Sequence, residues 1–83
     1  MHRTMPRVLY MRANGPAIRA IRHSREESLE QVAARARITR EALRFIETGK
    51  TKNARPLTVE AIAVALGVSL DEIVVRPPQA IPA

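Results

Sequence analysis

The sequence predicts an all-α domain of five short helices, and three observations support that fold class. Apolar residues recur at intervals of three and four between residues 18 and 74, which is the period of a helix with one buried face. Capping residues and glycines stand at the ends of these segments. The chain has 83 residues and no cysteine, so one small core has to form without disulfides or thiolate zinc sites. We expect the domain to span residues 14 to 75.

Residues 1 to 13 predict a flexible basic arm ahead of the domain. They show no clean period and include Pro6. Within the arm, residues 8 to 11 have the composition of an extended segment that docks on the domain or pairs with a second copy of the chain. A basic leader is either simply disordered or lies along a polyanion, and both interpretations stay open.

The first helix is predicted to begin at residues 14 to 16, Asn-Gly-Pro, because proline is tolerated in the first turn of a helix. It would run to about His23. Ile18 and Ile21 lie three residues apart and form its inward face.

Two further helices joined by a short turn are predicted between residues 28 and 49. Ser28 and Gln31 have the spacing of a capping box at the start of the first of them. Thr39 offers an N-cap oxygen to the second helix, and Gly49 suits the left-handed conformation that ends it. Ala33 is small enough to lie where two helices cross closely. One buried stripe runs through both helices and comprises Val32, Ala33, Ala36, Ile38, Leu43 and Ile46.

The last two predicted helices follow a basic loop at residues 50 to 56. The fourth helix begins near Thr58 and ends at Gly67. The fifth begins at Ser69, which forms a second capping box with Glu72. The inward residues are Val59, Ile62, Ala63 and Leu66 in the fourth helix and Leu70, Ile73 and Val74 in the fifth.

Some apolar residues remain on the outer faces of these last helices. They are Ala61, Val64 and Val75, and they form a modest candidate surface for a homodimer. Residues 76 to 83 are rich in proline, which cannot continue a helix, and are predicted to be a tail.

The residues that define the central helix pair resemble those of a known family. They are Val32, Ala33, Ala36, Ile38, Thr39, Leu43, Ile46, Glu47, Gly49 and Lys50. Their arrangement is similar to the helix-turn-helix of the phage-repressor-like family, the Cro/cI-type or XRE domains, and the similarity covers roughly residues 14 to 75. The resemblance implies a five-helix DNA-binding domain. It also implies a sequence-specific transcriptional regulator that acts on double-stranded DNA as a homodimer.

The chain departs from the usual family pattern at two positions, and the resemblance implies one specific contact. Arg37 stands in the turn where the family usually has glycine, and a positive φ there would cost roughly 1 kcal/mol. Leu29 stands where relatives often have a glutamine that reaches a phosphate. The resemblance implies an ion pair between Arg22 and Glu47 that fixes the first helix to the end of the third. The alternative is an exposed, solvated Arg22 worth less than about 1 kcal/mol.

Positive charge is concentrated in the first two-thirds of the chain. The net charge is +6, yet residues 56 to 83 are net negative by two, whereas residues 1 to 25 carry six arginines and no acid. The first two-thirds of the chain would therefore contact a polyanion, and the arm would lie along phosphates or in a minor groove. Arginine supplies 12 of the 14 cations, which suits bidentate contact with phosphate or guanine. A genome with GC-rich codons is an alternative explanation for part of the excess of arginine.

The third helix, at residues 39 to 48, is predicted to read the major groove. Its outward base-reading candidates are Arg40, Glu41, Arg44 and Phe45. Arg40 would donate to guanine O6 and N7, and Glu41 would accept from cytosine N4. Phe45 would either contact a thymine methyl or fold back into the core, and we favour the core. The alternative for the charged residues is a solvated helix face.

A second set of residues is predicted to hold the sugar-phosphate backbone. It comprises Ser28, Thr39, Thr48, Lys50, Lys52 and Arg55. Hydroxyl and N–H groups at helix N-termini suit phosphate oxygens, and the loop at residues 50 to 56 is basic and poor in apolar residues. An ordinary solvated loop is the alternative interpretation.

The sequence offers no catalytic, metal-binding or cofactor-binding constellation. His2 and His23 are its only histidines, too few for a metal triad or an oriented general base. The longest apolar run, residues 61 to 68, is far shorter than the roughly 20 residues that span a bilayer, and no secretory segment is visible near the N-terminus. We expect a non-enzymatic, soluble and cytoplasmic protein.

A second functional class stays open beside the DNA-binding regulator. The same fold serves in antitoxins, whose partner is a toxin, and in adaptors that bind other proteins. A toxin-binding segment would need an extra apolar strand or helix, and only residues 7 to 13 or the tail would supply one.

Overall fold

The computed structural model describes residues 10 to 75 and shows a mostly helical domain with a small sheet. In chain order the elements are β1 (Met11–Arg12), α1 (Gly15–Ser24), α2 (Leu29–Ala36), α3 (Arg40–Thr48), β2 (Asn53–Ala54), α4 (Pro56–Leu66) and a 3-10 turn (Leu70–Glu72). The predicted arm up to residue 9 and the predicted tail at residues 76 to 83 lie outside the described residues.

α2 and α3 start where their capping residues predict. Ser28 and Gln31 form a complete capping box at the start of α2, with hydrogen bonds of 3.0 and 2.8 Å. Thr39 Oγ1 accepts a backbone N–H of the first turn of α3 at 3.0 Å. α4 starts at Pro56, two residues before the predicted Thr58, because proline is well suited to the first helical position.

The start of α1 packs closely against the end of α3. Asn14 caps α1 by accepting a backbone N–H of its first turn at 3.1 Å. A Cβ atom at Gly15 would clash with the carbonyl oxygens of Ile46 and Glu47, so this approach requires glycine. The sequence indicates the helix start but not this contact, which depends on residues far away in the chain.

The core lies between the helices, with α2 packed on α4 and α3 packed on both α1 and α2. Its largest fully buried side chains are Ile18, Val32, Leu43, Val59, Ile62, Leu66 and Ile73. All of them belong to the predicted inward faces. Ala33 is buried as well, as expected for a small residue at a close helix crossing.

The prediction of an all-α fold is wrong in one respect, because a two-stranded antiparallel sheet joins the N-terminal segment to the loop after α3. Met11 lies opposite Ala54 and Arg12 opposite Asn53. The sequence assigns residues 11 to 13 to the flexible arm, whereas in the structure they extend the domain. Of the segment at residues 8 to 11, for which the sequence predicts an extended segment that docks on the domain or pairs with a second copy, Met11 lies in β1 and residues 8 and 9 lie outside the described residues. Strands of two residues are too short to show the alternation that reveals a strand in a sequence.

The predicted fifth helix is also wrong, because only a 3-10 turn forms at Leu70–Glu72. The expected capping contact between Ser69 and Glu72 is present at 3.2 Å. The chain then extends, and Val74 forms an isolated antiparallel bridge with the residue that follows β1. Residues 73 to 75 are all β-branched, and such side chains favour extended backbone over helix.

Candidate nucleic-acid interface

A tight turn sets the angle between α2 and α3. Arg37 has φ 61° and ψ 41°, which is the left-handed conformation. The N–H groups of Arg37 and Ile38 donate to the carbonyl oxygens of Ala34 and Ala33 at 3.2 and 3.0 Å, so they satisfy carbonyls that the end of α2 leaves free. A non-glycine residue in this conformation is strained by roughly 1 kcal/mol. Arg37 therefore destabilises the turn by about that amount.

α3 has one buried face and one exposed face. Leu43, Ile46 and Glu47 are buried against the rest of the domain. The exposed residues of α3 are Arg40, Glu41, Arg44 and Thr48. Arg40, Glu41 and Arg44 were predicted as outward base-reading residues and Thr48 as a phosphate-binding residue, and the four form a polar surface along the helix.

Both arginines on this face are paired with carboxylates. The Nε atom of Arg40 lies 3.0 Å from Oε2 of Glu30 on α2. The Nη1 atom of Arg44 lies 3.2 Å from Oε2 of Glu41, one turn earlier on α3. The four side chains are between 48% and 66% exposed. Because ion pairs this exposed are worth less than about 1 kcal/mol, a charged partner would rearrange them at small cost.

Phe45 is half-buried and lies outside the hydrophobic core, so the preferred interpretation of Phe45 as a core residue is wrong. The Lys50 Nζ atom lies 4.5 Å from the centre of its ring, and the Arg44 guanidinium carbon lies 5.9 Å away. The inward positions of α3 are already filled by Leu43 and Ile46, which leaves the ring at the edge of the exposed face. Cation–π contacts of this kind contribute about 0.5–1 kcal/mol at exposed sites.

A buried ion pair fixes α3 to α1. Arg22 donates to Glu47 twice, from Nε to Oε2 at 2.8 Å and from Nη2 to Oε1 at 2.9 Å. The two residues are only 8% and 7% exposed. The hydrogen bonds that Arg22 donates to the Glu47 carboxylate raise the pKa of Arg22 above its usual value. Arg22 Nη1 also donates to the Glu27 carbonyl at 2.9 Å, so one guanidinium links α1, α3 and the start of the segment that leads into α2.

The predicted phosphate-binding residues lie at two helix starts and in the loop after α3. They are Ser28, Thr39, Thr48, Lys50, Lys52 and Arg55, and all are exposed. Ser28 and Thr39 use their side-chain oxygens as N-cap acceptors, which leaves each hydroxyl proton able to serve an outside acceptor. The loop is shaped by β2 and by a hydrogen bond of 3.0 Å from the Thr51 N–H to the Phe45 carbonyl.

The positions of two residues on this surface were not indicated by the sequence. Arg12 is exposed and lies opposite Asn53 in the sheet, which brings a further cation to the basic loop. Glu30 meets Arg40 across the turn. Neither has a local sequence signal, because a two-residue strand shows no period and the Glu30–Arg40 contact depends on the angle between two helices.

Two other features, a metal-binding cluster and a membrane-spanning helix, are absent from the described part of the chain. Residues 10 to 75 contain no group of three or more His, Cys, Asp or Glu residues placed to hold a metal ion. No helix in the same range is long and apolar enough to cross a bilayer.

The arrangement of α1 to α4 around this surface agrees with a match to a family model. The model of the helix-turn-helix family HTH_3 matches residues 18 to 73, which covers most of α1 and everything up to the end of the 3-10 turn. The chain belongs to the Cro/cI-type, or XRE, helix-turn-helix family. Helix-turn-helix domains of this XRE type occur in DNA-binding transcriptional regulators.

Two solved structures are similar to this XRE domain. SinR, described as the master regulator for biofilm formation in complex with DNA, has a TM-score of 0.65 and 26% sequence identity, and the match covers 69% of this chain and 90% of that chain. ClgR, the clp gene regulator from C. glutamicum, has a TM-score of 0.63 and 24% identity, with coverage of 69% and 73%. The likeness to ClgR shows the fold alone. No match was found among curated proteins.

Proposed function

We propose that this XRE domain is a sequence-specific transcriptional regulator that places α3 in the major groove of double-stranded DNA. The observation that carries the proposal is the exposed face of α3, where Arg40, Glu41 and Arg44 stand together close to the turn. Recognition helices approach base edges most closely through their N-terminal residues. The fold similarity to SinR, which is described as a complex with DNA, supports the same conclusion.

The chemistry of the face favours a site that contains G·C pairs. A guanidinium such as that of Arg40 donates to guanine O6 and N7 together, and a carboxylate such as that of Glu41 accepts from cytosine N4. Arg44 would contact a base or a phosphate after leaving Glu41. Phe45, at the edge of the face, would contact a thymine methyl group. Each half-site would then contain a G·C base pair next to a position at which thymine is accepted.

The proposed phosphate contacts supply affinity that does not depend on sequence. Lys50, Lys52 and Arg55 follow α3 directly, and Arg12 joins them through the sheet. Each phosphate that such a cation neutralises adds about 0.9 to the slope of log K against log salt concentration. Ser28 and Thr39, at helix N-termini, would fix the register of the domain on the backbone.

The outer face of α4 supports the proposal that the regulator binds as a homodimer. Leu57 and Val64 are 79% and 80% exposed and lie seven positions apart, hence on the same side of the helix. Ala61 lies between them and is half-buried. A second copy that covers this stripe would remove large exposed apolar side chains from water. A two-fold dimer predicts half-sites about 10 bp apart or a multiple of that distance.

Selection from a randomised duplex pool at near-physiological salt would test this function. The wild type is compared with Arg40→Ala and Lys52→Ala, and Arg19→Ala serves as a control that removes one exposed cation from α1. We expect the wild type to enrich a symmetric motif with guanine at one position of each half-site. Arg40→Ala should lose that guanine preference. Lys52→Ala should weaken all sequences alike and lower the salt slope by about 1, and the control should change neither.

Two results would count against the proposal. A pool from which the wild type enriches no motif would mean that the basic face binds DNA without sequence preference or binds something else, and an antitoxin or adaptor role would then take precedence. A motif that keeps its guanine in Arg40→Ala would mean that another part of the domain reads the bases.

A further inference from the structure

We propose that Glu30 is a positioning residue that determines how selectively Arg40 reads guanine; the inference rests on the proposed function. Glu30 lies in the first turn of α2, outside the helix expected to contact bases. Its carboxylate nevertheless lies 3.0 Å from Arg40 at the start of α3. A contact between the two helices of the motif thus favours one orientation of the first exposed side chain of α3.

The geometry of the pair leaves the reading edge of Arg40 available. The contact that Glu30 makes with Arg40 is at Nε, at 3.0 Å. An arginine that reads guanine end-on uses one N–H from each Nη group. Arg40 would therefore keep its contact with Glu30 while its two Nη groups meet O6 and N7.

The pair on Arg44 has the opposite geometry. Glu41 binds Nη1 of Arg44, one of the two groups that an end-on contact needs. Arg44 must leave Glu41 before it reads a base in that way, whereas Arg40 need not leave Glu30. The structure therefore assigns the guanine contact to Arg40 in preference to Arg44.

The charge of Glu30 adds a second effect on specificity. A carboxylate beside Arg40 repels phosphate, so it weakens the contacts that Arg40 would otherwise make with any DNA backbone. The guanine acceptors O6 and N7 carry only partial negative charge and are repelled much less than a phosphate. Glu30 would therefore lower nonspecific affinity through its charge and raise guanine preference through orientation.

Two substitutions at Glu30 separate charge from orientation. Glu30→Gln removes the charge but keeps a polar side chain of the same length beside Arg40 Nε, whereas Glu30→Ala removes both the charge and the contact. Glu60→Gln removes one exposed carboxylate from α4 and serves as the control for net charge. Binding of each variant to the selected motif, to the motif with guanine replaced by adenine, and to random duplex would be measured by titration, with the oligomeric state checked by sedimentation.

We expect both Glu30 variants to bind random duplex about two- to five-fold more tightly, the range set by one exposed charge contact. Glu30→Ala should also lose about two- to five-fold in guanine preference, while Glu30→Gln keeps most of that preference. In an Arg40→Ala background, Glu30→Ala should leave the ratio of the two motifs unchanged. Glu60→Gln should behave like the wild type in guanine preference.

Three outcomes would overturn the inference. If Glu30→Ala keeps the full guanine preference, Glu30 does not position Arg40. If Glu60→Gln reproduces every effect of Glu30→Ala, only net charge matters. These two results leave the proposed function intact, because the wild type still selects a motif. A wild type that selects no motif would instead refute the proposed function and, with it, this role of Glu30.

Discussion

Removing the guanidinium of Arg22 should cost the domain a large part of its free energy of unfolding. Arg22 and Glu47 are 8% and 7% exposed and are joined by two hydrogen bonds of 2.8 and 2.9 Å. An Arg22→Met variant would leave the Glu47 carboxylate buried without its partner, which costs about 3–5 kcal/mol. A chain of 83 residues has a free energy of unfolding of roughly 4–12 kcal/mol. The loss is therefore a large part of the total.

Urea denaturation followed by circular dichroism would measure this loss, with Glu47→Leu and the double variant completing the cycle. The double variant removes both charges together, so we expect it to recover at least about 2 kcal/mol of the loss. Arg44→Met is the matched control, because it breaks an exposed arginine–glutamate pair on the same helix and should cost less than about 1 kcal/mol. A loss in Arg22→Met no larger than that of the control would refute the assignment of this pair as the anchor of α3.

Two further predictions concern the turn and the outer face of α4. Arg37→Gly should raise the free energy of unfolding by up to about 1 kcal/mol, because glycine relieves the strain at φ 61°; a thermal melt that shows a lower midpoint would contradict the strain. Leu57→Ser combined with Val64→Ser should weaken self-association and the cooperativity of operator binding while leaving the helical content unchanged. Analytical ultracentrifugation that finds the same association constant as in the wild type would exclude this face as the dimer surface.

Most of the fold was predictable because local signals and buried periodicity agree. Ser28 with Gln31 and Thr39 mark helix starts through their own side chains, and the structure shows those caps. The inward positions on α1 to α4 follow from spacing alone, as Ile18 and Leu43 illustrate. Such signals involve residues only a few positions apart, so they can be recognised without knowledge of the tertiary structure.

The parts that were missed depend on contacts between distant segments. β1 and β2 hold only two residues each, and a pair that short becomes visible only when the two segments meet. The prediction of a fifth helix was wrong because residues 73 to 75, which follow the capping box at Ser69, are β-branched. In the structure this segment forms backbone hydrogen bonds with β1 and the residues that follow it. Phe45 was expected in the core on account of its size, but the inward face of α3 was already occupied.

The candidate site was predicted at the level of residue types and helix face. The charged outward residues of α3 are exposed as expected, since the 3.6-residue period fixes which side each one occupies. The pairing of Arg40 with Glu30 and of Phe45 with Lys50 was not accessible, because each contact depends on how one segment lies against the next. The proposal that Arg40 rather than Arg44 reads guanine rests on such contacts.

The central claim is that α3 reads guanine from the major groove through Arg40. Replacing the guanine of the selected half-site by 7-deazaguanine removes the N7 acceptor from the major groove and leaves base pairing and the minor groove unchanged. We predict that the wild type loses at least about 1 kcal/mol of binding free energy, roughly five-fold in Kd, whereas Arg40→Ala binds both duplexes equally. Equal binding of the two duplexes by the wild type would contradict the claim.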